Sequence, residues 1–283
     1  VHGCIDGFSR MIVYLQCSCN KRAQTVSNSF MDAVHTFGWP SRVRGDFGTE
    51  NNDIERKMIQ RWGEDHHAYI RGRQVDLLCC KFFLMVPFSS THNQRIEQLW
   101  RDIRKDCLEL FRRIFLHLEE QQLLDMDNAI HRVCLYHVFF PRIQESLERA
   151  CFAWNNHQIR TEQNRTAIIL FELSRTELTR IGKWTGDPGD ENSTASHPHY
   201  GVDGEGPLPP AEEILQEATE VQEDWSMDED IEKENGVRVN GAEELTEGLK
   251  YLAGFDLAQD DGNFGIHVFP NAVAHFIENF KNM

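Results

Sequence analysis

Residues Gly3–Ser18 read GCIDGFSRMIVYLQCS, and the fold class turns on how this stretch is taken. It is rich in β-forming residues, and Gly7 marks a turn between two short strands. One carboxylate, Asp6, stands in this apolar setting between Ile5 and Phe8. An acid at the end of a strand is either a turn residue or part of a site.

Reading outward, Lys21–Phe37 has helical apolar spacing through Val26, Phe30, Val34 and Phe37, and Gly38 with Pro40 ends it. Arg42–Gly45 is a short extended run that delivers a second acid, Asp46, into a glycine turn (RGDFGTEN). Glu50–Trp62 predicts a helix with Ile54, Met58, Ile59 and Trp62 on one face, and Ala68–Ile70 a further strand. From Asn93 a long helical stripe runs through Ile96, Leu99, Trp100, Ile103, Cys107, Leu110 and Phe111, with a third acid, Glu97, in its first turns. A second helical block spans Leu124–Phe139; Pro141 is expected to break it before a third, Gln144–Asn155. Strands alternating with helices and then giving way to helices predict an α/β layer architecture. There are no internal repeats.

The net charge of −16 conceals two regions. Val1–Lys183 carries 25 Lys+Arg against 22 Asp+Glu, whereas Trp184–Met283 carries 4 against 23. The mildly basic body can face a polyanion and the acidic tail cannot. Around Lys183 the composition turns to Gly, Pro, Ser and acid, so 173–211 is expected to be a disordered linker. The acidic region 212–283 is expected to be weakly structured. The chain opens on Val1 inside a strand-like run and is expected to be a fragment lacking its N-terminal part. The eight cysteines form no CxxC framework and suit reduced thiols in an intracellular protein.

Three carboxylates that converge at one sheet edge repel unless cations sit among them. Hard oxygen ligands of this kind suit Mg²⁺ or Mn²⁺. Two such ions can activate an attacking oxygen and stabilise a leaving one in phosphoryl transfer. Taken singly, Asp6 and Asp46 are ordinary turn residues and Glu97 an ordinary acid near a helix N-terminus.

Taken together with their neighbours and order, DGFSR at Asp6, DFGTEN at Asp46 and THNQRIEQLWRD at Glu97 resemble the three signatures of retroviral and retrotransposon-type integrase catalytic cores and related transposases. WNNHQIRTEQNRT at Trp154–Thr166 resembles the segment that closes such cores. The resemblance covers residues 1–172 and implies a ribonuclease-H-like fold, a mixed sheet flanked by helices, followed by additional helices and the acidic tail. It implies a D,D,E triad of Asp6, Asp46 and Glu97 holding two Mg²⁺ or Mn²⁺ ions for DNA cleavage and strand transfer. It implies DNA contacts from Arg101, Arg104 and Lys105, which follow Glu97 by four, seven and eight residues, and from Asn93 and Gln94. The expected partners are DNA, a second copy of the chain and a protein for the acidic tail, with no membrane. The expected location is the nucleus. The alternative is a domesticated descendant that binds nucleic acid without catalysis.

One segment fits this pattern badly. Val75–Phe88 is almost wholly apolar, yet at 14 residues it is too short to span a membrane. Fifty residues separate Asp46 from Glu97, and removing 74–89 would leave 34, close to the resembled spacing. Residues 74–89 are therefore expected to be an insertion. His131, Cys134 and His137 invite a zinc reading, but successive three-residue steps drift round a helix and helix packing is favoured.

Overall fold

The computed structural model describes residues 1–20, 22–45, 48–71, 94–184 and 242–282. Asp46, Asn93, the apolar run 74–89 and the region 185–241 lie outside the described residues. Gln94 and Glu97 are described by their backbone alone.

The molecule is mixed α/β, with helices flanking small sheets. Strand β1 (His2–Ile5) turns back into β2 (Ile12–Gln16) as an antiparallel hairpin, with a register irregularity between Cys4 and Ile5. Helix α1 (Ala23–Phe37) follows and ends at Gly38, in the left-handed region at φ 90°. Strand β3 (Val43–Gly45) pairs in parallel with β4 (Tyr69–Arg71) across helix α2 (Asn52–Trp62). That is a βαβ crossover, and α1 and α2 cover it through Val26, Phe30, Val34, Ile54, Met58 and Ala68.

Helix α3 (Gln94–Ile103) runs through a π-helical segment, Arg104–Leu108, into α4 (Glu109–Glu120). The buried positions explain the irregularity. Leu99, Ile103, Cys107 and Phe111 are all buried and recur every four residues. In an unbroken α-helix each four-residue step advances about 40° round the axis. The wider π turn takes back that drift, so Leu99, Ile103 and Cys107 stay in the cluster with the hairpin, and Phe111 passes into the next cluster.

Helix α5 (Ala129–Asn156) is continuous, which corrects the expected break at Pro141. A proline inside a helix removes one backbone donor and crowds the preceding turn. Here both halves of α5 are held from outside. Leu147 packs with Ile12, Leu15, Leu99 and Ile103, while Val133, Val138 and Phe139 lie in the largest apolar cluster. A two-stranded hairpin, β5 (Gln158–Ile159) with β6 (Arg165–Thr166), leads into α6 (Ala167–Arg180). Leu170 and Phe171 of α6 pack against Met11 and Ile159. Residues 173–180, expected to begin the linker, are helical, and Trp184 rests edge-on against Phe171 at 5.7 Å.

The C-terminal region also differs from expectation over 242–282. Helix α7 (Ala242–Leu249) and helix α8 (Val268–Asn282) dock on α4 and α5. Leu245, Leu252, Val268, Phe269, Ala272 and Phe276 complete one core with Phe111, Ile114, Leu118, Val133 and Phe139. Arg142 secures the docking by donating to the Leu257 and Gln259 carbonyls, both at 2.7 Å. His137 Nε2 lies 2.9 Å from the Leu245 carbonyl oxygen. Sequence periodicity missed this because the apolar residues come in short pieces among acids and glycines, and their partners lie over a hundred residues upstream. Among the described residues no helix is long and apolar enough to cross a membrane.

Candidate active site

Asp6 sits at the mouth of the β1–β2 hairpin, half-buried. Its Oδ2 accepts two hydrogen bonds from one residue, the Ser9 backbone N–H and the Ser9 hydroxyl, both at 2.7 Å. Its N–H donates to the Met11 carbonyl at 2.8 Å, and its carbonyl accepts from Arg10 N–H at 3.0 Å. Ser9 is fully buried, and its Oγ in turn accepts from Met11 N–H at 3.2 Å. Asp6 is thus a turn-forming residue, as its plainest reading held. The turn engages only Oδ2. Among the described residues no donor reaches Oδ1, which remains available as a hard oxygen ligand.

The turn is held from outside by the end of α5. The Trp154 indole N–H donates to the Arg10 carbonyl at 2.8 Å. Arg10 itself lies in the left-handed region at φ 63°, a conformation that a residue with a Cβ adopts only when its surroundings fix it. Next to it, Asn155 grips the outer edge of β2 at one residue. Its Oδ1 accepts from Ile12 N–H at 2.8 Å and its Nδ2 donates to the Ile12 carbonyl at 3.0 Å. Gln144, three helical turns earlier, accepts from Cys17 N–H at 2.8 Å. Side-chain amides here supply what a neighbouring strand would otherwise give an exposed edge. These residues were not foreseen as site-forming. The signal was the pair Trp-Asn itself, two large hydrogen-bonding side chains at the end of an otherwise amphipathic helix.

Inside the hairpin, burial pushes the Cys4 thiol up to about 12, and the nearby Asp6 carboxylate adds to the shift. Burial likewise raises Tyr14, opposite Cys4 in the hairpin, with Cys4 and Tyr69 contributing. Tyr69 belongs to β4, so the electrostatic environment of the hairpin reaches the β3–β4 pair. The Tyr69 hydroxyl also occupies the space a Cβ would need on Gly45. Glycine is therefore the residue that fits immediately before Asp46.

Helix α3 brings Glu97 toward the same hairpin. Trp100, one turn beyond Glu97, lies on Gly3 of β1, and Leu99 and Ile103 pack with Ile12 and Leu15. The helix that carries the third acid thus crosses the strand that ends in the first. Beyond it Arg101 is half-buried, and Arg104 and Lys105 are exposed. The π segment starts at Arg104, so the uniform α-helical face expected for Glu97, Arg101, Arg104 and Lys105 is interrupted there. Asp102 and Asp106 are interspersed with these cations; burial raises the Asp102 carboxyl, and Asp106 raises it further.

The zinc reading of His131, Cys134 and His137 finds no support among the described residues, which contain no cluster of potential metal ligands. Cys134 is buried in the apolar core and its thiol is pushed up to about 12. His131 Nδ1 accepts from Asp125 N–H at 3.0 Å.

No curated protein and no solved structure matches the chain. The family model described as integrase core domain matches residues 1–81 and 83–183, interrupted only inside the apolar run. With the hairpin, the crossover and the helix bearing Glu97 all inside the matched span, the chain belongs to the integrase core domain family.

Proposed function

We propose that this protein is a DNA integrase or transposase core that cleaves and joins phosphodiesters through Asp6, Asp46 and Glu97 on a ribonuclease-H-like scaffold. The observation that carries this reading is the family match over 1–183, within which α3 lies across β1 between Asp6 and Glu97. The donor chemistry fits a divalent ion, since among the described residues no donor reaches Asp6 Oδ1, while Oδ2 is spent on the turn. Bound by the three carboxylates, two Mg²⁺ or Mn²⁺ ions would activate the attacking oxygen and stabilise the leaving one. The chain's own share is placement. Ser9 fixes the Asp6 carboxylate, and Trp154 and Asn155 brace the turn and strand beside it, so little reorganisation is needed when substrate arrives. Arg101, Arg104 and Lys105 meet the DNA backbone and supply affinity rather than sequence choice. The working form is a homo-oligomer acting in the nucleus.

The experiment is cleavage of an end-labelled DNA duplex by the purified chain in Mg²⁺ or Mn²⁺. Strand cleavage that is lost in each of Asp6→Asn, Asp46→Asn and Glu97→Gln supports the reading. A second reading has its own observation. The apolar segment 74–89 lengthens the stretch between Asp46 and Glu97 to fifty residues, although the family match runs through it and omits residue 82 alone. An apolar insertion there would leave a domesticated protein that binds DNA without cutting it. Binding without cleavage, and cleavage gained when 74–89 is deleted, supports that alternative.

A further inference from the structure

The β1–β2 turn presents one side chain outward. Phe8 is 69 % exposed, on a turn whose two ends, Asp6 and Ser9–Met11, are hydrogen-bonded. Asp6 holds Ser9 through two bonds, Asp6 N–H reaches Met11, Arg10 N–H reaches Asp6, and Trp154 holds the Arg10 carbonyl. The bonds at Asp6, Ser9 and Arg10 brace both ends of the turn and so set where the segment that carries the ring stands. That place is two residues from Asp6. Next along the chain, Met11 packs against Ile159, so the β5–β6 hairpin lies beside the turn. Exposed Arg160 and Arg165 flank that hairpin, with Glu162 between them. An exposed aromatic ring on a braced turn, with cations on the neighbouring hairpin and a carboxylate two residues away, matches the chemistry of unpaired nucleic acid. The ring offers a face for a base, and the guanidinium groups offer charge for phosphates.

We infer that Phe8 is a nucleobase-stacking platform, holding an unstacked base of the DNA strand beside Asp6, with Arg160 and Arg165 engaging the phosphates of the same strand. This rests on the proposed function, because it presumes DNA at the Asp6 turn. It adds the class of ligand for which the turn is built, a base outside the duplex stack.

The test is equilibrium binding of a fluorescein-labelled single-stranded oligonucleotide to the full chain, in EDTA so that no cleavage intervenes. Phe8→Ala should weaken binding about tenfold, Phe8→Trp should match or exceed the parent, and Phe8→Leu should behave like Phe8→Ala. Arg160→Glu should weaken binding and flatten its salt dependence. The ring buries little surface, so Phe8→Ala should unfold at the parent temperature, which separates lost binding from lost fold. Equal affinity of parent and Phe8→Ala, or full affinity in Phe8→Leu, overturns the platform and leaves the proposed function standing. A parent chain that binds no oligonucleotide, single- or double-stranded, overturns both.

Discussion

Trp100 lies so close to Gly3 that a Cβ at residue 3 would stand 3.0 Å from the indole ring edge, and equally near Leu15 Cδ1. This contact seats α3 on β1 and sets the approach of Glu97 to the strand bearing Asp6. Gly3→Val should therefore push the helix off the strand. Overpacking of this kind costs about 1–3 kcal/mol. Denaturant titration would register it as a lowered midpoint. A midpoint equal to the parent's would show that Trp100 gives way freely.

Asn155 satisfies both backbone groups of Ile12. Asn155→Ala removes both bonds and leaves an edge donor and acceptor without their partners. A loss of about 1–3 kcal/mol is expected. Hydrogen exchange should localise it, with Ile12 N–H exchanging faster while the α7–α8 region keeps its protection.

Ser9 gives two hydrogen bonds to one oxygen of Asp6, and only one of them comes from its side chain. Ser9→Ala keeps the turn's backbone bond and frees Asp6 Oδ2 of the hydroxyl. Met11 N–H also loses its acceptor, so a stability loss of about 1–3 kcal/mol is expected with the fold kept, while divalent-ion-dependent cleavage should fall more than stability does. Equal loss of both would reduce Ser9 to a turn residue.

Strands β1–β4 and helices α1 and α2 were legible from local composition and periodicity, and the apolar partners of the two helices are close in sequence. Val26, Phe30 and Val34 meet Ile54 and Met58 within one supersecondary unit. The three acids are grouped in the sequence only through their neighbours, since each alone is an ordinary turn or helix-start residue. The π segment was not read from the sequence, because the four-residue recurrence of Leu99, Ile103, Cys107 and Phe111 also suits an ordinary helical stripe over a few turns. Continuity at Pro141 was not legible. It depends on packing by residues as distant as Leu15 and Phe269, which no local rule contains. The Trp154 and Asn155 roles were hidden for the same reason, as their acceptors lie more than 140 residues away.

Cys134 offers a pH test. Its folded thiol is raised from the ordinary 9.0 to about 12 by burial. The unfolded chain then loses this proton near pH 9, whereas the folded chain keeps it until about 12. The stabilising contribution is complete below pH 9 and drains away as pH rises toward 12. The chain should lose stability as pH rises from 9.0 toward about 12, and Cys134→Ala should show a shallower slope. Alkylation at pH 8 should spare Cys134 until denaturant is added. Rapid alkylation of Cys134 in the native chain would contradict its burial.

The docking of α7 and α8 has a practical consequence. The family's boundary falls at residue 183, but the apolar faces of α4 and α5 are closed by side chains from 245–276. The stretch that homology would mark for cloning is therefore smaller than the unit that folds cooperatively. A protein cut after Trp184 would leave Phe139, Val133 and Leu118 in water, and should be recovered as aggregate or only with a companion fragment supplying 242–282. In this chain, the unit of descent and the unit of stability are two different lengths.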